Sequence, residues 1–506
     1  MRRFVIAWLG FGLVAGAGCK EKSPNDAPAA TTPPAGGMGS AVTNGGSATG
    51  TGSVTGTGGP GSAAAGSNDP WAAKPAPPPK VDTPETRKAR AEAALGRVGV
   101  IKPKLAAIRE LTFSRDVPTE YQLAADFKAY VHRETVKELP AEKDKNLSAA
   151  LFHIGLLKEK IDLAEVEEQA VTTQAGAYYD PATKKFYLVM VPDNDIALDT
   201  ITAHELTHGL QDQHFDLQKY MPPTLDDDHS SARRFVVEGD ATFAMFLYAI
   251  GKPKVDPKMV NLLRGQIEQF ANLDLDALKK QTKEQSKAFG TNMDPEIQKS
   301  LDAMDLIPPV VLVPMLDSYM KGALVVMTAF EQGGWKAVDD LYKNPPESTE
   351  QVLHPATKLY PTRDKPHVVT LAKLDAGMTE LTANVIGELG WQIYFSLWKP
   401  ELSAEASEGW GGDRYVVAKR ASDGRLVGMF ATTWDTPADA EQFAKAYLQT
   451  LPLRFPGTKA VGSGEPFTRP DAGKIFVKLV GKNVFIVDGA DDDKALAKLM
   501  STAKIN

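Results

Sequence analysis

With one cysteine, Cys19, in 506 residues, the chain has no partner for an internal disulfide, and a lone thiol at that position makes most sense as an acylation site. Positive charge is not concentrated anywhere. The net charge is −7, and no basic stripe or aromatic platform occurs, so nucleic-acid binding has no footprint here. After the N-terminal stretch no segment reads as a membrane span. Large apolar residues almost vanish from Lys20 to Lys80, where Gly, Ser, Thr, Ala and Pro predominate. Such a segment cannot bury enough surface to offset its ordering entropy, so residues 19–80 are expected to form a disordered tether.

What is present begins with an export signal. Met1-Arg2-Arg3 is a basic start, Phe4 to Val14 is an apolar stretch too short to span a bilayer comfortably, and Ala15-Gly16-Ala17-Gly18 supplies small residues before Cys19. Residues 1–18 resemble a bacterial lipoprotein signal, with Gly16 where leucine is usual. The resemblance implies cleavage before Cys19, lipidation of its thiol, and a cell-envelope protein held to a membrane on its periplasmic or cell-surface face.

The strongest chemical signal is His204-Glu205-Leu206-Thr207-His208, an HExxH pattern in a run that reads as helix from Ile196. Four residues advance about 400° on a helix, so the two imidazoles lie on one face, one turn apart, where they can grip one Zn²⁺. Glu205 projects beside them, placed to take a proton from a metal-bound water and pass it to a leaving amine. Asp193, Asn194 and Asp195 are N-cap candidates for this helix.

A site of this kind needs a third protein ligand, and two residues compete. His214 stands six positions after His208, the metzincin spacing, but Gln211 occupies the place of the glycine that lets the chain turn back. Glu238 follows His208 by thirty residues, in a segment from Arg233 that reads as a second helix to Ile250. A carboxylate buried among Val236, Val237, Phe243 and Phe246 requires a cation, either zinc or Arg233 or Arg234 of its own helix. HExxH followed by Glu238-Gly239-Asp240-Ala241 resembles the gluzincin group of zinc metallopeptidases, in which a glutamate on a later helix is the third ligand. By that resemblance His204, His208 and Glu238 hold one Zn²⁺ per chain, with His214 as the alternative ligand. A carboxylate orienting one histidine is also expected, with Asp240 a candidate.

Upstream, Ala177 to Val191 reads as strand, Asp-Pro turn and strand, a hairpin whose edge could accept an extended peptide substrate by main-chain hydrogen bonds. A donor for the tetrahedral oxyanion is sought among Tyr178, Tyr220, His229, Tyr319 and His354. His132, His153 and His367 lack ligand spacing and read as surface or core residues.

The fold expected is α+β: a mainly helical zincin-like core with a hairpin edge over residues 81–400, then a small α+β sandwich over 401–506. In the latter, strands around Ser422-Asp423-Gly424 and around Val480-Gly481-Lys482 are each followed by a helix. Gly409 to Arg414 reads as a structural corner. Segments from the hairpin to this corner resemble prokaryotic surface proteins and lipoproteins carrying a gluzincin-like core. The function implied is a membrane-tethered, extracytoplasmic zinc metallopeptidase acting on peptide or protein substrates. The alternative is a non-catalytic surface lipoprotein whose metal braces two helices while the C-terminal domain binds a partner.

Overall fold

The computed structural model describes the backbone of Val5–Trp8 and residues 83–506 apart from 192–193, 252–255, most of 273–301, 463 and 472. Cys19, the 19–80 tether, Asp193 and most of the expected leader lie outside the described residues. A helical layer opens the body: α1 (Pro84–Gly96), α2 (Val98–Arg109), α3 (Ala124–Glu138), α4 (Ala141–Ile154) and α5 (Leu163–Gln174). The expected hairpin follows as β3 (Ala175–Asp180) and β4 (Lys185–Leu188), antiparallel with Tyr178 opposite Tyr187. Asp180 closes its turn, its two carboxylate oxygens accepting from the Ala182 amide and the Thr183 hydroxyl at 2.8 Å each. Two further strands complete a sheet of order β1-β3-β4-β2. β2 (Thr119–Tyr121) is parallel to β4, and β1 (Val5–Trp8) is antiparallel to β3.

Helix α6 (Asp195–Phe215) carries the HExxH pattern. Asn194 caps it, its side-chain oxygen accepting from the amides of Ile196 and Ala197. Every residue from Ala197 to Asp212 except Asp199 is buried, so this is a central helix and not a surface one. The hairpin is fastened to its C-terminal end: Tyr179 donates to Asp212 at 2.8 Å, and Lys184 bridges to the same carboxylate. Helix α7 (Asp227–Ile250), capped by Asp226, packs along α6 and is crossed by α9 (Pro309–Lys343); α8 (Pro257–Ala271) lies against α9.

Among the described residues, helix α9 alone is long and apolar enough to cross a membrane by length and composition, an 18-residue window of it having mean hydropathy 1.6. Within the fold, 61% of that window is buried, which gives its apolar character a use in the core. The helix is kinked at Gly333-Gly334, where Gly334 takes a φ of 65°.

The last part is an antiparallel sheet of order β6-β7-β8-β11-β10-β9. Its strands are β6 (Met378–Asn384), β7 (Trp410–Arg420), β8 (Leu426–Trp434), β9 (Phe467–Thr468), β10 (Lys474–Val480) and β11 (Asn483–Ala490), the short pair β5 (Val369–Thr370) and β12 (Lys504–Ile505) standing apart. Strand alternation sends Val484 and Ile486 into the main core, which includes α11 (Gly387–Trp398) and α12 (Pro437–Arg454), and sends Phe485 and Val487 to a second core under α13 (Lys494–Thr502). Between α9 and β5 lies the short α10 (Thr349–Leu353). The two expected hairpins and their helices are present. The expected boundary at 400/401 does not fall at the edge of this sheet, because β6 pairs with β7. Residues Pro84–Asn506 belong to one compact α+β unit.

Candidate metal centre

Three ligand atoms converge between α6 and α7. His204 Nε2 and His208 Nε2 are 3.0 Å apart, and Glu238 Oε2 lies 3.3 Å from the first and 3.6 Å from the second. A tetrahedral zinc with bonds of 2.0–2.1 Å has ligand edges of about 3.3–3.4 Å, so the triangle has the size the ion requires. The donors also fit zinc in kind: two imidazoles and a carboxylate, all 0–2% exposed. Glu205, from the same turn as His204, is fully buried beside them.

Burial and close mutual contact shift all three groups. Burial lowers the His204 imidazole to about 4. Burial also opposes charge on His208, but Glu238 outweighs it and the net shift is upward. Glu238 is held low in spite of its burial, because His204 and His208 donate to it.

Around the triangle, His208 Nδ1 lies 2.8 Å from Gln211 Oε1, and Gln211 Nε2 donates to the Val237 carbonyl at 3.0 Å and to Asp240 Oδ2 at 3.1 Å. Asp240 is in turn fixed by Arg109 Nε at 2.7 Å and the Tyr342 hydroxyl at 2.8 Å. Arg109, buried over the Trp335 ring, also reaches Asp339. Asp240 thus approaches a histidine only through Gln211.

The alternative ligand His214 is not brought to the group. Because α6 continues to Phe215, His214 points elsewhere and its Nε2 donates to the Thr112 carbonyl at 2.8 Å. Arg233 is not the partner of Glu238 either; it donates to the Tyr220 carbonyl. Among the five oxyanion candidates, Tyr319 stands at the site: its ring lies 5.8 Å from that of His204, and its hydroxyl is pushed well above its ordinary pKa by burial and then by the charges of Glu238 and Glu205. The other four are engaged elsewhere. Tyr178 donates to Gln122 within an aromatic stack, and Tyr220 to the Leu341 carbonyl. His229 pairs with Asp226, and His354 with Glu388. His132 is an exposed partner of Glu168, His367 meets the Asn506 carbonyl, and His153 is buried against Asp488.

Sequence reasoning passed over Gln211, Arg109, Tyr342 and Asp339. Only Gln211 carried a usable signal, since a residue three positions after His208 shares its helix face. At the expected corner, Asp413 accepts from the amides of Ile386 and Gly387 and from the indoles of Trp391 and Trp410, which ties β7 to the start of α11.

Residues 375–500, from just before β6 into α13, match a family described as a domain of unknown function (DUF8575). No curated protein and no solved structure matches the chain.

Proposed function

We propose that this protein is a zinc-dependent peptidase with a zincin-like core, exported and tethered to a membrane through lipid on Cys19. The observation that carries the reading is the zinc-sized triangle of His204, His208 and Glu238 with the carboxylate of Glu205 beside it. His204, His208 and Glu238 would hold the zinc, which when bound would supply Lewis-acid chemistry for hydrolysis. The chain supplies the rest. Glu205 accepts the proton of the attacking water and returns it to the departing amine. Tyr319 donates to the oxyanion. The edge of β3, which pairs antiparallel with the extended segment Val5–Trp8, offers the main-chain groups an extended peptide would use. If cleavage before Cys19 removes that segment, the edge is open to substrate.

One observation favours the non-catalytic alternative: His204, Glu205, His208 and Glu238 are all nearly solvent-free, as in a metal that braces two helices. Against it stands Glu205, a general base that a structural zinc site does not need. The deciding measurement is zinc content and turnover of a broad peptide library, comparing wild type with Glu205→Gln and Tyr319→Phe. The peptidase reading expects zinc in all three, no turnover in Glu205→Gln and a loss of about 10²-fold or more in kcat for Tyr319→Phe. Zinc in all three without turnover in the wild type selects the structural metal. A wild type that binds no zinc overturns both.

A further inference from the structure

The hydrogen bonds around Gln211 fix which way its amide faces. Val237 O and the Asp240 carboxylate can only accept, and Asp240 is pinned as an acceptor by Arg109 and Tyr342. The amide nitrogen of Gln211 therefore has to face them, which turns its oxygen toward His208 Nδ1 at 2.8 Å. An amide oxygen only accepts, so His208 Nδ1 must carry a hydrogen; whenever the ring is neutral, its Nε2 is then the atom with a lone pair, facing His204 and Glu238. The same amide grips α7 on both sides of Glu238, at Val237 and Asp240. His204 has no such support: its Nδ1 is buried without a hydrogen-bond partner among the described residues.

We infer that Gln211 is the positioning residue of the metal centre, a single neutral amide that sets the tautomer of His208 and locks the helix bearing Glu238 in register with it. The inference rests on the zinc-site reading above. A neutral amide in this role differs from an orienting carboxylate because it fixes the ring without adding negative charge beside the metal. The wiring is also one-sided, so its loss should disturb His208 and leave His204 unchanged.

The test uses full-length protein with its histidines labelled with ¹⁵N, together with zinc titration against a competing chelator. In zinc-free wild type, at a pH high enough for the His208 ring to be neutral, His208 is expected as the Nδ1–H tautomer. Gln211→Met, close in volume but without the amide, is expected to bind zinc about 10–100-fold more weakly, to mix the His208 tautomers and to leave His204 signals in place. Gln211→Glu retains an acceptor for His208 but sets a charge against Asp240. It is expected to keep the tautomer while losing zinc affinity, a split that a merely space-filling residue would not produce. An Nε2–H tautomer in the wild type, or Gln211→Met with zinc affinity within about twofold of wild type, overturns the assignment. If Gln211→Met does not fold, the wild-type tautomer decides alone. A wild type that binds no zinc but shows His208 as Nδ1–H removes the metal reading while supporting the hydrogen-bond assignment, so the two can fail separately.

Discussion

Asp228 shows how a single buried group makes stability depend on pH. It sits in the first turn of α7, 2% exposed, with Oδ1 accepting from the amide and hydroxyl of Thr349 and Oδ2 without a hydrogen-bond partner among the described residues. Burial raises its pKa to about 7, with Asp226 and Asp413 adding repulsion. A carboxyl whose folded pKa lies above its unfolded value binds its proton more tightly in the native state. The stabilisation is therefore complete below about pH 4 and is lost as pH rises toward 7. Asp228→Asn removes the titration while keeping an acceptor for Thr349. Relative to wild type, its unfolding free energy should rise between pH 5 and pH 8, by at most about 3 kcal/mol. Urea unfolding at several pH values measures this, and a difference that is flat with pH would contradict it.

Between elements, the close crossing of α7 and α9 is what brings Glu238 and Tyr319 into one site. A Cβ at Gly239 would lie 2.1 Å from backbone atoms of Gly322, and a Cβ at Gly322 would lie 2.4 Å from the Phe235 carbonyl. The glycine after Glu238 thus has a packing reason, since only hydrogen fits between the two backbones. Gly239→Ala should push the helices apart, costing about 1–3 kcal/mol or more in denaturant unfolding, and should weaken zinc binding with it. Gly265 in α8 is the control. A Cβ there meets nothing within 4 Å, so Gly265→Ala should be neutral or stabilising by about 0.5–1 kcal/mol. Equal losses at both positions would exclude the crossing as the cause.

For the molecule as a whole, the C-terminal sheet is keyed into the helical layer and does not stand apart from it. The end of α4 enters it: His153 Nε2 donates to the Asp488 carbonyl, Arg454 donates to the His153 carbonyl at 2.7 Å, and Trp398 to the Gly155 carbonyl at 2.7 Å. Asp488 is fully buried, yet His153, Arg469 and Arg454 hold its pKa below the ordinary value. Gly155 itself has a φ of 86°, and a Cβ there would strike Arg454 at 2.7 Å. Cutting the chain to residues 375–500 would leave these charges without the α4 residues that enclose them. The fragment 375–500 should therefore be unstable alone, whereas the whole protein should show one main calorimetric transition from its body. Two well-separated transitions, or a stably folded fragment, would show the sheet to be independent.

What the chain encodes within a few residues could be read directly. The HExxH pair falls on one helix face because that geometry is local, and Asn194 caps the helix for the same reason. The Asp180 turn and the alternating strands of the C-terminal hairpins were legible too, since their signals lie within one turn or one pleat. Strands β2 and β6 were not: their pairing partners are distant in sequence, at Phe186–Leu188 and at Tyr415–Arg420. The same limit governed the site. That Glu238 and Tyr319, and not His214 or the four other candidates, lie beside His204 depended on whether α6 turns back or runs straight, and on how closely two glycines let α7 and α9 approach. His204, Glu205 and His208 were determined by sequence because one helical turn places them. Glu238, Tyr319 and Gln211 were decided by tertiary packing because their convergence depends on contacts between helices, which helical periodicity does not specify.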